Sequence, residues 1–167
     1  MRLSVTLGAA SAITMLLSIA CAGQQFQILK ARDNCSQHST DRVPEYRLDR
    51  STRLEKDRTL VLYVSVAPQD SGRNSLIALA CSLGRQYSTE TFFYAYLFDS
   101  KFAAKHYNPQ HEGNTAQEEA SYLGAYSFAR LPQLYGTELS LITKEGSSSR
   151  VDIDLGPPPG DERPSNK

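Results

Sequence analysis

"TLVLYVSV", residues 59–66, decides the fold class. It is apolar or β-branched at almost every position, not at every second one. A run of that kind is buried on both faces, which predicts a strand inside a sheet. Pro68 and the Asp70-Ser71-Gly72 cluster end it, and Asp70 or Ser71 is expected to cap the following helix. Over residues 74–87, Leu76, Leu79, Ala80, Leu83 and Tyr87 recur at helical spacing and form one apolar stripe. Cys81 lies on the flank of that stripe, about 120° from its centre at roughly 100° per residue.

"TETFFYAYLF", residues 89–98, predicts a second strand. Asp99 and Ser100 then suit the N-cap of a short helix, "KFAAKHY". Residues 108–119 read as a polar loop. "YLGAYSFARL" (122–131) and "TELSLIT" (137–143) predict strands joined around Pro132–Gly136. "VDIDL" (151–155) alternates with Val151, Ile153 and Leu155 inward. The order strand, helix, strand, short helix and three strands predicts one α+β domain over residues 59–155. Its expected sheet has about five strands, mostly antiparallel and ending in a meander. One main helix and one short helix should lie on one face. A doubly wound α/β sheet fits less well, because the helices are too few to cover a second face.

The flanks differ in composition. "LLSIACAGQQ", residues 16–25, closes an uncharged run that follows a single basic residue, Arg2. A basic start, an apolar stretch and a small-residue exit predict a secretory signal over residues 1–22. A membrane anchor needs roughly 20 predominantly apolar residues. Gly8, Ala9, Ala10, Ser11, Ala12 and Thr14 dilute this run, and no basic cluster follows it. Two exits compete. Ala20-Cys21-Ala22 fits release before Gly23, whereas Ser18-Ile19-Ala20-Cys21 resembles a lipobox that would make Cys21 the lipidation site. Ser18 stands where a lipobox usually has leucine, which favours free secretion to the periplasm or outside the cell over a lipid-anchored product. Residues 23–58 read as a polar, solvated arm, with room for a short strand at Phe26–Leu29. Residues 156–167, "GPPPGDERPSNK", read as a disordered proline-rich tail.

With Cys21 removed or acylated, Cys35 and Cys81 are left as an even pair. In an exported chain that is a disulfide signature. The bridge would staple the arm to the flank of the first helix, contributing roughly 4 kcal/mol on the chain-entropy model. Asn34-Cys35-Ser36 also matches a glycosylation sequon, in competition with the bridge.

Eighteen basic and eighteen acidic residues leave no net charge. No global field therefore favours nucleic acid or an anionic membrane. Tryptophan is absent, but there are nine tyrosines, whose amphipathic rings suit half-wet surfaces. Phe92, Tyr94, Tyr96 and Phe98 share one side of their strand, and Tyr122, Tyr126 and Phe128 share one side of theirs. Two arrangements fit. The small sides face the helices and leave Tyr94, Tyr96, Tyr122 and Tyr126 as an open platform, or the aromatics fill the core and the small sides are exposed.

Catalytic patterns are weak. His106 and His111 stand near Glu112, Glu118 and Glu119, but Pro109 interrupts any helix that would align the imidazoles. Ser100 has no nucleophile-elbow context and reads as a cap. No carboxylate pair stands alone in an apolar setting, as glycoside hydrolysis needs. The expected function is therefore an exported, non-enzymatic binding or interaction domain for a protein, peptide or glycan, with no cofactor and no metal. The alternatives are a small exported hydrolase or metal-dependent enzyme using the His106/His111 loop, and a purely structural domain whose partner supplies any activity.

Overall fold

The computed structural model describes residues 28–161, apart from positions 55, 57, 111 and 144–148. The segment read as a secretory signal, with Cys21, and tail residues 162–167 lie outside the described residues. The described residues form seven strands: β1 (Ile28–Arg32), β2 (Tyr46–Leu54), β3 (Thr59–Val66), β4 (Phe92–Phe98), β5 (Tyr122–Leu131), β6 (Leu134–Thr143) and β7 (Ser149–Gly156). Three α-helices among the described residues accompany them: α1 (Arg73–Gln86), α2 (Lys101–His106) and α3 (Ala116–Ser121).

The strands form one sheet in the order β1-β7-β6-β5-β4-β3-β2. The double-faced apolar run is β3. It pairs in parallel with β4 through α1, the kind of crossover a parallel pair needs. From β4 to β7 each strand pairs antiparallel with the next, so the expected terminal meander is present.

The α+β class holds, but the expected five-stranded, mostly antiparallel sheet is corrected to a seven-stranded mixed one. The extra strands come from the segment read as a polar arm. β2, "YRLDRSTRL", pairs antiparallel with β3 at one edge, and β1 pairs parallel with β7 at the other. Edge strands need no apolar face, and charged side chains there discourage pairing with further chains. That is why β2 left no strand periodicity to read, whereas β1 overlaps the short strand expected at Phe26–Leu29. β2 is also irregular, with a register shift at Asp49. The shift lets Ser65 Oγ donate to Asp49 Oδ2 at 2.5 Å, while the Arg50 guanidinium lies 3.5 Å from the Tyr63 ring centroid.

The helices do not share one face, which is a second correction. Leu76, Ile77, Leu79, Ala80 and Leu83 of α1 pack with Leu60, Leu62, Val64 and Val66 of β3 in the main core. On the opposite face, Ala103 and Ala104 of α2 pack with Tyr63, Phe98 and Tyr107 in a second, smaller core. Burying each large aliphatic side chain contributes about 1.5–3 kcal/mol, so α1 holds most of the sheet while α2 covers one end of its other face.

Capping follows the sequence only in part. Ser100 caps α2, as its composition suggests, accepting from the Ala103 N–H. The α1 N-cap is Gly72, with no side-chain cap bond; Asp70 and Ser71 belong instead to the 3₁₀ turn before it. Within the supposed polar loop, α3 begins with a capping box. Thr115 Oγ1 accepts from the Glu118 N–H, and Glu118 Oε2 accepts from the Thr115 N–H. The Thr-x-x-Glu spacing was the legible signal for this helix.

Cys35 and Cys81 form a disulfide, with Cα atoms 5.4 Å apart. Cys81 is buried on α1, and the bridge ties it to the turn region after β1. His38 clamps that region: Nδ1 lies 2.7 Å from Asp41 Oδ2 and Nε2 lies 2.9 Å from Asp33 Oδ1. At the other terminus, residues 157–161 stay against the body of the protein. Pro158 is buried, and Arg130 binds Asp161 at 3.1 Å and donates to the Glu90 and Pro159 carbonyls.

Candidate functional site

The site lies on the sheet face opposite α1 and is built by an offset between two aromatic strands. In the β4–β5 ladder, Tyr94 stands opposite Ser127, Tyr96 opposite Ala125, and Phe92 opposite Ala129. The large side of β4 is therefore level with the small side of β5. The large side of β5, Tyr126 and Phe128, points the other way and packs with Phe93 under α1.

Tyr122 escapes that reversal. A register shift between Leu97 and Phe98 leaves Leu123 as an extra residue on β5 and places Tyr122 opposite Phe98. Bulges of this kind re-aim a side chain. Here the bulge returns Tyr122 to the face of Tyr94 and Tyr96. Gly124 permits it, with φ at +144° and no room for a Cβ beside the Ser140 carbonyl.

The rings touch one another. Tyr94 and Tyr96 have centroids 4.6 Å apart, Tyr96 and Tyr122 are 6.4 Å apart, and Tyr107 stacks on Tyr122 at 5.4 Å with an interplanar angle of 14°. Tyr107 is buried, whereas Tyr94, Tyr96 and Tyr122 are half-buried. Ala125 and Ser127 form a low floor beside them. Across the floor stand Glu138, Ser140 and Arg150, while Pro109 and Glu119 approach from above α2 and α3, enclosing a cleft of about 580 Å³.

Charges in the far wall are mutually engaged. Arg150 Nε bonds Asp152 at 2.5 Å, and its Nη2 reaches Ser140 Oγ at 2.9 Å and Glu138 at 3.3 Å. Ser140 Oγ in turn bonds Asp152 at 2.7 Å. Burial, reinforced by neighbouring phenols, pushes the hydroxyl pKa values of Tyr96 and Tyr122 well above 10. Tyr107 is pushed up to about 12, by burial first and by the Glu119 charge second. The aromatic wall is therefore neutral and its hydroxyls keep their protons at physiological pH.

No known family model, curated protein or solved structure matches the chain. The site is accordingly characterised by its own residues.

Of the tyrosines singled out in the sequence, Tyr94, Tyr96 and Tyr122 come together. Tyr126 does not: it is 0% exposed on the opposite face. Its hydroxyl has no hydrogen-bond partner among the described residues. His106 sits in the last turn of α2 with its ring 4.4 Å from Phe102, and His111 lies outside the described residues. No group of three metal-ligating side chains occurs among the described residues. Likewise, no described helix is long and apolar enough to cross a membrane. Tyr107, Glu138, Ser140 and Arg150 escaped sequence reading: Tyr107 follows α2, and the other three lie on β6 and β7, where only the strand register brings them across the floor from the tyrosines.

Proposed function

We propose that the protein is an exported binding domain that holds its ligand against the tyrosine face without transforming it. The carrying observation is the cleft itself: three half-buried tyrosines in mutual contact, a floor of small residues, and a polar wall opposite. Specific sites are concave, with aromatic surface for affinity and a few placed polar groups for orientation. The secretory pattern of residues 1–22 and the Cys35–Cys81 bridge support export.

The test is direct. Immobilised mature protein is screened against soluble oligosaccharides and a peptide library, and bound material is eluted and weighed by mass spectrometry. Capture that fails in Tyr94→Ala and Tyr122→Ala, with the ligand eluting unaltered, is the expected result. Capture indifferent to both substitutions rules out this face, and a cleaved or modified eluate rules out a purely binding role.

A further inference from the structure

A second hollow continues the cleft. It measures about 850 Å³ and shares Ser127 and Glu138 with the first. The two form one trough along β5, whose outward residues Ala125, Ser127 and Ala129 are all small. One wall is Phe92, Tyr94 and Tyr96, at every second residue, with Cα atoms about 7 Å apart. The opposite wall continues from Glu138 to Asp152 and Asp154, with Lys30 and Arg32 at the margin. Each hollow alone has the volume of a small-ligand site, about 300–1,000 Å³. Joined, they suit a chain of units.

Resting on the binding-domain reading above, we infer that the ligand is a neutral oligosaccharide lying along this trough. Sugar rings stacked on Phe92, Tyr94 and Tyr96 would leave their hydroxyls on the polar wall.

The chemistry excludes other occupants one by one. Aromatic cages for ammonium groups need rings set apart around a cation. Here the centroids are 4.6–6.4 Å apart and the rings fill the space between them. A contiguous aromatic surface, its rings tilted by 52° to one another, instead suits the weakly positive C–H groups of a sugar ring. A charged ligand finds no field to follow. Arg150 is flanked by Asp152 and Glu138, and Arg32 by Asp154 at 3.6 Å. An anion near either arginine meets a carboxylate, and a cation near either carboxylate meets a guanidinium. A hydroxyl both donates and accepts, so it satisfies a wall of mixed sign without needing net charge. A lipid chain would strip water from that wall and give nothing back. An extended peptide is best held by a sheet edge, where main-chain groups are open; on this face the β4–β7 backbones are already paired with one another.

The experiment uses the mature, disulfide-intact protein and three probe sets of matched length: neutral oligosaccharides of two to six units, acidic oligosaccharides, and peptides. Tyrosine emission reports binding, because the chain has no tryptophan to mask it. Neutral oligosaccharides should bind, more tightly as units are added until the trough is full. Tyr94→Ala should weaken them about tenfold or more, while Tyr94→Phe, which keeps the ring, should retain most of the affinity. Phe102→Ser, on the exposed side of α2, should change nothing. Retention of the disulfide and of cooperative melting shows that each variant is folded. Preference for acidic chains or peptides, lost in Tyr94→Ala, overturns the ligand class but keeps the binding-domain reading. Failure of all three sets to bind wild-type protein overturns both.

Discussion

Gly124 lies so close to Ser140 that a Cβ at position 124 would collide with the Ser140 carbonyl oxygen and stand 3.0 Å from the Leu141 Cα. Its φ of +144° is one that side-chain-bearing residues rarely adopt. The β5 bulge, and through it the place of Tyr122 in the cleft, depends on this contact. Gly124→Ala should therefore destabilise the fold by about 3 kcal/mol or more, combining backbone strain with overpacking. Chemical denaturation measures it. A loss below about 0.5 kcal/mol would show that the bulge relaxes freely and that Gly124 does not hold Tyr122 in place.

Tyr126 and Gly84 make a second close pair. A Cβ on Gly84 would collide with the Tyr126 hydroxyl and stand 2.7 Å from Pro159 Cγ. Tyr126→Phe removes a buried, unpartnered hydroxyl and should leave stability unchanged or raise it by about 1 kcal/mol. Gly84→Ala should be destabilising, and less so in the Tyr126→Phe background. Tyr126→Ala should cost about 3–5 kcal/mol, so its effect on ligand capture would report unfolding and not contact. Equal costs of Gly84→Ala in the two backgrounds would show that Pro159, not Tyr126, sets the clash.

His38 makes stability depend on pH. Its hydrogen bond to Asp41, then that to Asp33, holds the imidazole pKa above the usual 6.5 despite partial burial. For Asp33, burial pushes the carboxyl up, but the Asn34 N–H and His38 outweigh it and leave it below 3.8; Arg73 also faces it. The folded chain thus binds the His38 proton more tightly than the unfolded chain. That contribution is complete below about pH 6.5 and is lost as pH rises through the folded value. Asp33 acts in the opposite sense: its contribution is present above its unfolded value and lost as pH falls through the lowered one. Melting temperature should decline on the alkaline side of about pH 6.5, and His38→Gln should flatten that limb. An identical limb in His38→Gln would assign the decline to another group.

The Cys35–Cys81 bridge joins residues 46 apart in sequence, so reduction should lower stability by roughly 4 kcal/mol on the chain-entropy model. Cys35→Ser/Cys81→Ser should behave like reduced protein, with His38 and its two aspartates less firmly held. Intact-mass spectrometry of the native product reads the export step separately. A chain starting near Gly23, without lipid and with one disulfide, is expected. A diacyl or triacyl mass on Cys21 would make the protein a tethered lipoprotein and leave the disulfide unaffected.

Local chemistry was legible wherever one segment carried its own signal. The unbroken apolar character of Thr59–Val66, the stripe of Leu76, Leu79 and Leu83, and the Ser100 cap each appear where expected. Signals spread thinly were not legible. β2 carries Arg47, Asp49, Arg50 and Arg53 because an edge strand is free to face water, and a strand whose covered side chains, Asp49 and Arg50, are charged leaves no apolar period to find. α3 was announced by Thr115 and Glu118 but hidden within a polar composition.

The sequence by itself determined the α+β class, the main helix, the pairing of Cys35 with Cys81, and an aromatic and a small side on both β4 and β5. Each follows from residues near one another in the chain, or, for the cysteines, from simple elimination. Only the tertiary structure decided how those sides meet. Strand register pairs Tyr94 with Ser127, which sends Tyr126 to the core and leaves Tyr94 and Tyr96 over a floor of small residues. One extra residue at Leu123 brings Tyr122 back to them. Side chains alternate with a period of two, so a shift of one residue exchanges the faces of a strand. That shift is set by packing against β4 and β6, and within β5 the local sign of it is Gly124, which admits the close approach of Ser140.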